Sequence, residues 1–474
     1  MTTTDSEPDS SDAAPRDSIR RFRSGWVAPV ALTVFTIAVF LHTLDYGLYL
    51  DDHHHARPWE FGEVMSTFWG PFDTLGIEPA YYRPLVVVTF GLDWAIWGFD
   101  DRGYHITNLV LHVVAVLMVY AVINRLIRHR VAAAVGAAAF SVLPANVATV
   151  LYISERSDAL VAIFTCAAVL AVCTRHDRPD LRWPTLAVPF ACLLAIMSKE
   201  VGLAAPLIVA ATWCFLEVDR RSEAPGTWSA EASAWLDIVR DPDRRRGLIR
   251  TAGPPVLVAV AAFGYRALVL PEAFVEAYGD KAGGPLRGLV GGIRWTILAT
   301  PWEVRNLAFI PLIAATIAVA FVHRRPASWR PMIFAALWVL ASLVPLARLV
   351  SVEPRLLYTA EVGMAIFIAG LTRAAAPEIV RAVRRSSPAL GRRRGIGLAV
   401  FLVSAVGWVA ATIPAHRDAQ LEFRVGSPKM LNGDLIVWTE LPDRNFYEPY
   451  HLERIRQRLF DAGLIDEDGV PITP

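Results

Sequence analysis

Long apolar runs separated by short polar stretches dominate the chain from residue 27 to residue 413. Runs long enough to approach a bilayer's thickness lie at 27–44, 104–123, 131–151, 159–174, 183–197, 201–216, 252–270, 307–322, 332–350, 356–371 and 396–413. They predict about eleven transmembrane helices, several of them short. Segment 84–98 is apolar too, but it carries Asp93 and is only about fifteen residues long, which suits an interfacial helix lying on the membrane. Two stretches break the pattern. Residues 1–25 are rich in Ser, Thr, Asp, Glu and Pro and end in Arg16, Arg20, Arg21 and Arg23, the composition of a disordered tail. Residues 415–474 are polar and mixed in charge, with a strand-like run at 435–441 and a helix-like amphipathic run at 451–463. The expected organisation is a tail (1–25), a transmembrane domain (26–414) whose first outer loop covers 45–103, and a small C-terminal segment (415–474).

Composition narrows the class without changing this picture. With 54% hydrophobic and 19% charged residues, the chain is too apolar for a soluble globule, and an all-α integral membrane protein is expected. Its net charge of +1 gives no reason to expect a nucleic-acid partner. Cys166, Cys173, Cys192 and Cys214 all fall within apolar runs, so they read as small hydrophobes and not as a disulfide framework. The first apolar run is too long for a cleaved leader and reads as a retained anchor.

Charge then sets sidedness. If 84–98 does not cross, the clusters Arg125/Arg128/Arg130, Arg175/Arg178/Arg182, Arg220/Arg221 with Arg244 to Arg246, Arg324/Arg325/Arg330 and Arg384/Arg385 with Arg392 to Arg394 all share one side. By the positive-inside rule that side, with the N-terminus, is cytoplasmic. The loops 45–103, 152–157, 198–200, 271–305 and 351–355 and the C-terminal segment are then extracytoplasmic.

Those outer loops carry charge that a passive loop does not need. Asp51 and Asp52 follow the first apolar run, and Tyr81-Tyr82-Arg83-Pro84-Leu85 comes later in the same loop. Ser154-Glu155-Arg156-Ser157-Asp158, Ser198-Lys199-Glu200 and Glu353-Pro354-Arg355-Leu356-Leu357-Tyr358 follow in turn. A carboxylate that accepts a hydroxyl proton, together with cations that hold a departing phosphate, is the minimum for displacing a phosphate leaving group. Asp51 or Asp52 is the candidate base, and the sequence does not choose between them. Arg83, Arg156, Lys199 and Arg355 are the candidate phosphate ligands, helped by Arg266 and Arg348, since the arginine fork suits that task. Tyr82, Glu155, Asp158, Glu200, Glu353, Tyr358 and Glu361 complete the candidate substrate contacts; Glu361, inside an apolar run, is costly in lipid. His53 and His55 would share a side of an extended strand with Asp51 but lack the spacing of a recognisable zinc site, which makes them weak metal candidates. Each feature also has a plainer reading. An aspartate pair can cap a helix, Arg156 and Lys199 can snorkel to the interface, and His105 and His112 can bond neighbouring helices.

In this order, with Tyr104-His105-Ile106-Thr107-Asn108-Leu109-Val110-Leu111-His112 between the second and third motifs, the residues resemble the membrane half of the tetratricopeptide-repeat-containing O-mannosyltransferases and their prokaryotic relatives. Those enzymes have the GT-C fold of polyprenyl-phosphate-sugar-dependent glycosyltransferases. The resemblance runs from about residue 45 to about residue 370, and its specificity lies in the shared order and sidedness of the motifs. It implies a GT-C-like bundle and an inverting transfer of a sugar, mannose in the relatives, from a polyprenyl-phosphate-linked donor. The acceptor would be a hydroxyl of a protein, lipid or glycan at the outer membrane face. It also implies that Asp51 or Asp52 matches the first-loop catalytic acid, that the Arg and Lys positions match the basic motifs, and that membrane lipids surround the site. Some relatives of this fold use a divalent cation and others do not, which leaves that cofactor open. The chain departs from the pattern at Leu143-Pro144-Ala145-Asn146-Val147-Ala148, at Glu155 in place of a glycine, and at Thr359-Ala360-Glu361, and the repeats are absent. A transporter or flippase of a lipid-linked sugar, or a non-catalytic membrane scaffold, would use the same charged loops without breaking a bond, although no inverted repeat is legible.

Overall fold

In lipid a backbone must satisfy its own hydrogen bonds, so long apolar runs are forced into helices. The computed structural model describes residues 13–48, 52–70, 81–220, 227–269, 287–298, 314–319, 326–347 and 354–384, with residue 349 and a few short stretches between 399 and 435. Among them the helices are α1 (Ala13–Phe40), α2 (Asp52–His55), α3 (Phe61–Ser66), α4 (Pro84–Trp97), α5 (Asp101–Ile127), α6 (Arg130–Val142), α7 (Pro144–Leu151) and α8 (Arg156–Asp177). They continue as α9 (Trp183–Ser198), α10 (Ala205–Arg220), α11 (Trp228–Arg240), α12 (Pro242–Val269), α13 (Arg287–Leu298), α14 (Arg330–Leu343) and α15 (Tyr358–Arg384). Among the described residues six stretches are long and apolar enough to cross a membrane: Gly25–Asp45, Asp101–Ile127, Ile153–Asp177, Glu200–Arg220, Pro242–Val269 and Tyr358–Pro377. Four more apolar helices are shorter. The protein is a helical, multi-pass membrane protein.

The bundle is built around α8, which packs on α5, α9 and α10, while α15 packs on α6 and α14. In an apolar 18-residue stretch of each, 72% of residues are buried in Ile153–Asp177 and in Tyr358–Pro377, against 17% in Pro242–Val269, so the first two form the inside and α12 flanks it. Small residues set the close approaches, as in other membrane bundles. A Cβ on Gly136 of α6 would stand 2.5 Å from the carbonyl oxygen of Ala365 on α15.

Several elements differ from the sequence expectation. The run 131–151 is two helices, because Pro144 has no N–H to donate and pushes Leu143 to an extended backbone (φ −59°, ψ 132°). The Asn146 amide donates to the Phe140 carbonyl across the break (2.6 Å). Helix α1 already begins at Ala13, so the arginines assigned to a disordered tail sit on its first turns. Helix α12 starts at Pro242 and carries Arg244, Arg245 and Arg246. Helix α11 was not expected at all, because its apolar residues form one stripe and not a continuous run. The run 396–413 lies almost entirely outside the described residues, and so does 307–322 apart from 314–319. The expected strand and helix of the C-terminal segment also lie outside them, except that Met430–Leu431 pairs antiparallel with Asp434–Leu435.

A charged network at one end of the bundle

The residues after α1 return to the bundle as α2, which brings Asp52 into a buried position. Its partner is distant in sequence: the backbone N–H of Ser154 (2.9 Å) and its hydroxyl (2.6 Å) both donate to Asp52 Oδ1. Ser154 lies in the 3-10 turn Ile153–Glu155 between α7 and α8. That turn is pinned by the Asn108 side chain of α5, whose amide lies 3.3, 3.4 and 3.3 Å from the carbonyl oxygens of Thr149, Val150 and Tyr152.

Arg156, the first residue of α8, is 0% exposed. Its Nη1 donates to Asp93 Oδ2 (2.6 Å) and its Nε to the Ile153 carbonyl (3.1 Å). The Asp93 carboxylate also accepts from the Thr107 hydroxyl (2.7 Å). This accounts for the acid inside the apolar run 84–98, because a buried guanidinium needs a buried partner. The Phe90 ring of α4 is met by the Arg156 guanidinium at 4.2 Å and by the parallel His55 ring at 4.2 Å. Burial, then His54, then Arg156, Arg57 and Arg83 hold the His55 imidazole well below its usual range, so it is neutral at neutral pH.

The junction between α9 and α10 supplies the centre. Lys199 Nζ reaches Glu155 Oε2 (2.6 Å) and Asp158 Oδ2 (2.5 Å), two carboxylates around one ammonium. Burial works against that ammonium, but Asp158 and Glu155 outweigh it and hold Lys199 above the usual lysine range. Next to it the ratio is inverted. Glu200 accepts from Arg83 (2.9 Å) and forms an ion pair with Arg266 at the far end of α12 (2.7 Å), two guanidiniums around one carboxylate. The Arg83 guanidinium also lies 4.4 Å from the centre of the Tyr81 ring. Tyr82 and Tyr265 both donate to the Phe68 carbonyl (3.3 and 3.1 Å), which ties the first loop to α12; burial and then Tyr265 raise the Tyr82 phenol.

Of the residues singled out in the sequence, Asp52, Arg83, Glu155, Arg156, Asp158, Lys199, Glu200 and Arg266 are therefore joined in one network. Arg156 differs in kind from the other cations, since it is engaged by Asp93 and has no exposed surface. Tyr358 stands apart: its hydroxyl and His112 Nδ1 are 2.7 Å apart, and His112 Nε2 lies 3.2 Å from the Ser141 carbonyl oxygen. Both contacts fit a neutral imidazole linking three helices. Glu361 is buried, and neither carboxyl oxygen has a hydrogen-bond partner among the described residues. Asp51 and Glu353, and the side chains of His53 and Arg355, lie outside the described residues. Among those described, no three His, Cys, Asp or Glu side chains group as a metal ion would require. Sequence reasoning quoted Ser154 without giving it a role, and it gave Asp93 no partner; the acid in an otherwise apolar run was the only available signal.

Residues 83–231, which hold most of this network, match the family model described as dolichyl-phosphate-mannose-protein mannosyltransferase. The chain is 28% identical over 187 residues to protein O-mannosyl-transferase Tmtc1 of Drosophila melanogaster, a match covering 37% of this chain and 21% of that protein. It is 29% identical over 142 residues to human protein O-mannosyl-transferase TMTC3, covering 29% of this chain and 15% of that one. It thus spans about a fifth or less of the length of these curated relatives. Among solved structures it is similar to the archaeal oligosaccharyltransferase AglB from Archaeoglobus fulgidus, in complex with an inhibitory peptide and a dolichol-phosphate. That likeness has a TM-score of 0.50 at 15% identity and covers 91% of this chain and 60% of the other. The chain therefore has a GT-C-type helical fold, and in the part that carries the network it resembles the TMTC O-mannosyltransferases.

Proposed function

We propose that the protein is an inverting glycosyltransferase that moves a sugar from a polyprenyl-phosphate donor to an acceptor hydroxyl at the outer membrane face. The relatives' names point to mannose as the sugar and a protein as the acceptor. In this reading about eleven helices cross the membrane, the N-terminus is cytoplasmic, and the network and the segment 415–474 are extracytoplasmic. The observation that carries it is that one fixed carboxylate, Asp52, is bound to Ser154, whose next residue, Glu155, holds Lys199, beside which Glu200 gathers Arg83 and Arg266.

Asp52 takes the proton of the acceptor hydroxyl as its oxygen attacks the anomeric carbon; Asp51 is the other candidate for that role. The bond from the anomeric carbon to the phosphate oxygen breaks, and its electron pair leaves with the lipid phosphate. Arg83 and Arg266, which outnumber their single carboxylate, and Lys199 stabilise the growing phosphate charge, with Arg355 as a further ligand. Arg156 holds α4 against α8 through Asp93, and so positions the network without touching phosphate. Tyr82, Glu155, Asp158 and Glu200 shape the substrate side, and Glu353, Tyr358 and Glu361 extend it.

The test is to incubate the purified full chain in lipid nanodiscs with a radiolabelled polyprenyl-phosphate sugar and acceptor peptides. Transfer releases free polyprenyl phosphate and labels the acceptor, which a flippase or a scaffold would not do. Asp52→Asn should abolish both products and still bind donor; wild-type turnover in that variant would remove Asp52 from the mechanism.

A further inference from the structure

We infer that Ser154 is a positioning residue for Asp52, one that sets the direction of the carboxylate and keeps it ionised during the transfer. The inference rests on the reading of Asp52 as the base.

Two donors of one residue converge on one oxygen: the Ser154 N–H and hydroxyl lie 2.9 and 2.6 Å from Asp52 Oδ1. Oδ1 lies off the Cβ–Cγ axis, so each bond to it opposes rotation of the carboxylate, and two donors from one rigid turn hold it more firmly than one. The chemistry also needs the charged form. Asp52 is 0% exposed, and burial without donors favours the neutral acid, which cannot accept a proton. Hydrogen bonds to the ionised form oppose this, and a short hydroxyl-to-carboxylate bond is among the stronger kinds.

The turn has the stiffness that the role requires. Asn108 contacts the carbonyls on its α7 side. On the α8 side Glu155 is held by Lys199, and Arg156 by Asp93. Arg156 Nε also donates back to the Ile153 carbonyl at 3.1 Å. Ser154 is thus a fixed post against which the small helix α2 is aligned. The cap position of α8 is Glu155, so Ser154 is not called on to cap the helix, and its hydroxyl points to a residue 102 positions away.

The experiment compares Ser154→Ala, Ser154→Cys and Ser154→Thr with wild type in nanodiscs, using a polyprenyl-phosphate mannose as donor. Alanine removes the hydroxyl donor and keeps the N–H. It should lower kcat about 10- to 100-fold, leave the donor KM within about twofold, and move the acid limb of the kcat profile about one pH unit upward. Threonine should restore most of kcat and the original profile. Cysteine, close in shape but a weak donor, should behave as alanine does and guards against a misfolded alanine variant. Unchanged kcat and pH profile in both alanine and cysteine variants would overturn the inference. So would an equal loss at every pH that threonine fails to rescue, since that is a folding effect. An active Asp52→Asn variant would instead overturn the underlying reading, whatever Ser154 does.

Discussion

Two buried ion-pair regions stand at opposite ends of the bundle, separated by the Glu200–Arg220 span, roughly 30 Å at helical rise. At the arginine-rich end, Glu231 of α11 and Arg330 at the start of α14 are 2% and 3% exposed. They are joined by two parallel hydrogen bonds of 2.8 Å each. Trp235 donates a further bond to Glu231 (3.1 Å), and Asp219 stands 3.9 Å from Arg330. There the guanidinium is closed by a bidentate pair upon one carboxylate, with Asp219 only at its margin, and that pair locks α11 to α14. At the other end the charges are shared: Lys199 serves two carboxylates, and Glu200 is shared by two arginines. The three cations and three carboxylates balance in sum, but none is closed upon a single partner, and so open an arrangement of buried charge costs more stability than a purely structural joint needs. Keeping it makes sense where a charged ligand arrives and departs, as the lipid phosphate of the proposed donor would.

The comparison can be broken most sharply at Asp52. Replacing it with Asn should reduce turnover by about 100-fold or more, read as released polyprenyl phosphate, with thermal unfolding little changed. Next come the two regions themselves. Lys199→Met and Arg330→Met should each cost about 3–5 kcal/mol of stability, because the first strands Glu155 and Asp158 and the second strands Glu231. Only the first should also abolish turnover per folded molecule, and equal catalytic losses in both would erase the distinction. A smaller effect is expected from pH. Since the His55 pKa is depressed in the fold, its contribution is complete above the unfolded imidazole range near pH 6.5. It is lost as pH falls from there towards the folded value. His55→Phe, which keeps the ring against Phe90, should therefore flatten part of the loss of Tm on acidification; an unchanged slope would leave His55 without a share in it. The smallest effect lies at the turn between α5 and α6, where Arg128 has φ 55°. Arg128→Gly should relieve left-handed strain of about 1–2 kcal/mol, less about 0.5–1 for glycine's entropy. A slight rise in Tm with unaltered turnover is expected.

The sequence by itself determined the helical membrane class, most of the long spans and the order of the charged motifs. A bilayer turns a long apolar run into a helix by a local rule, and short loops keep their charges at the span ends. Pro144 already announced the break between α6 and α7, although the run around it reads as continuous. What only the tertiary structure decided is which charge meets which. Asp93 takes Arg156 out of reach of solvent, Lys199 lies between Glu155 and Asp158, and Ser154 holds Asp52. These partners are 41 to 102 positions apart. No periodicity links such residues, because the pairing is set by helix packing and by the cost of leaving any one of these groups buried alone.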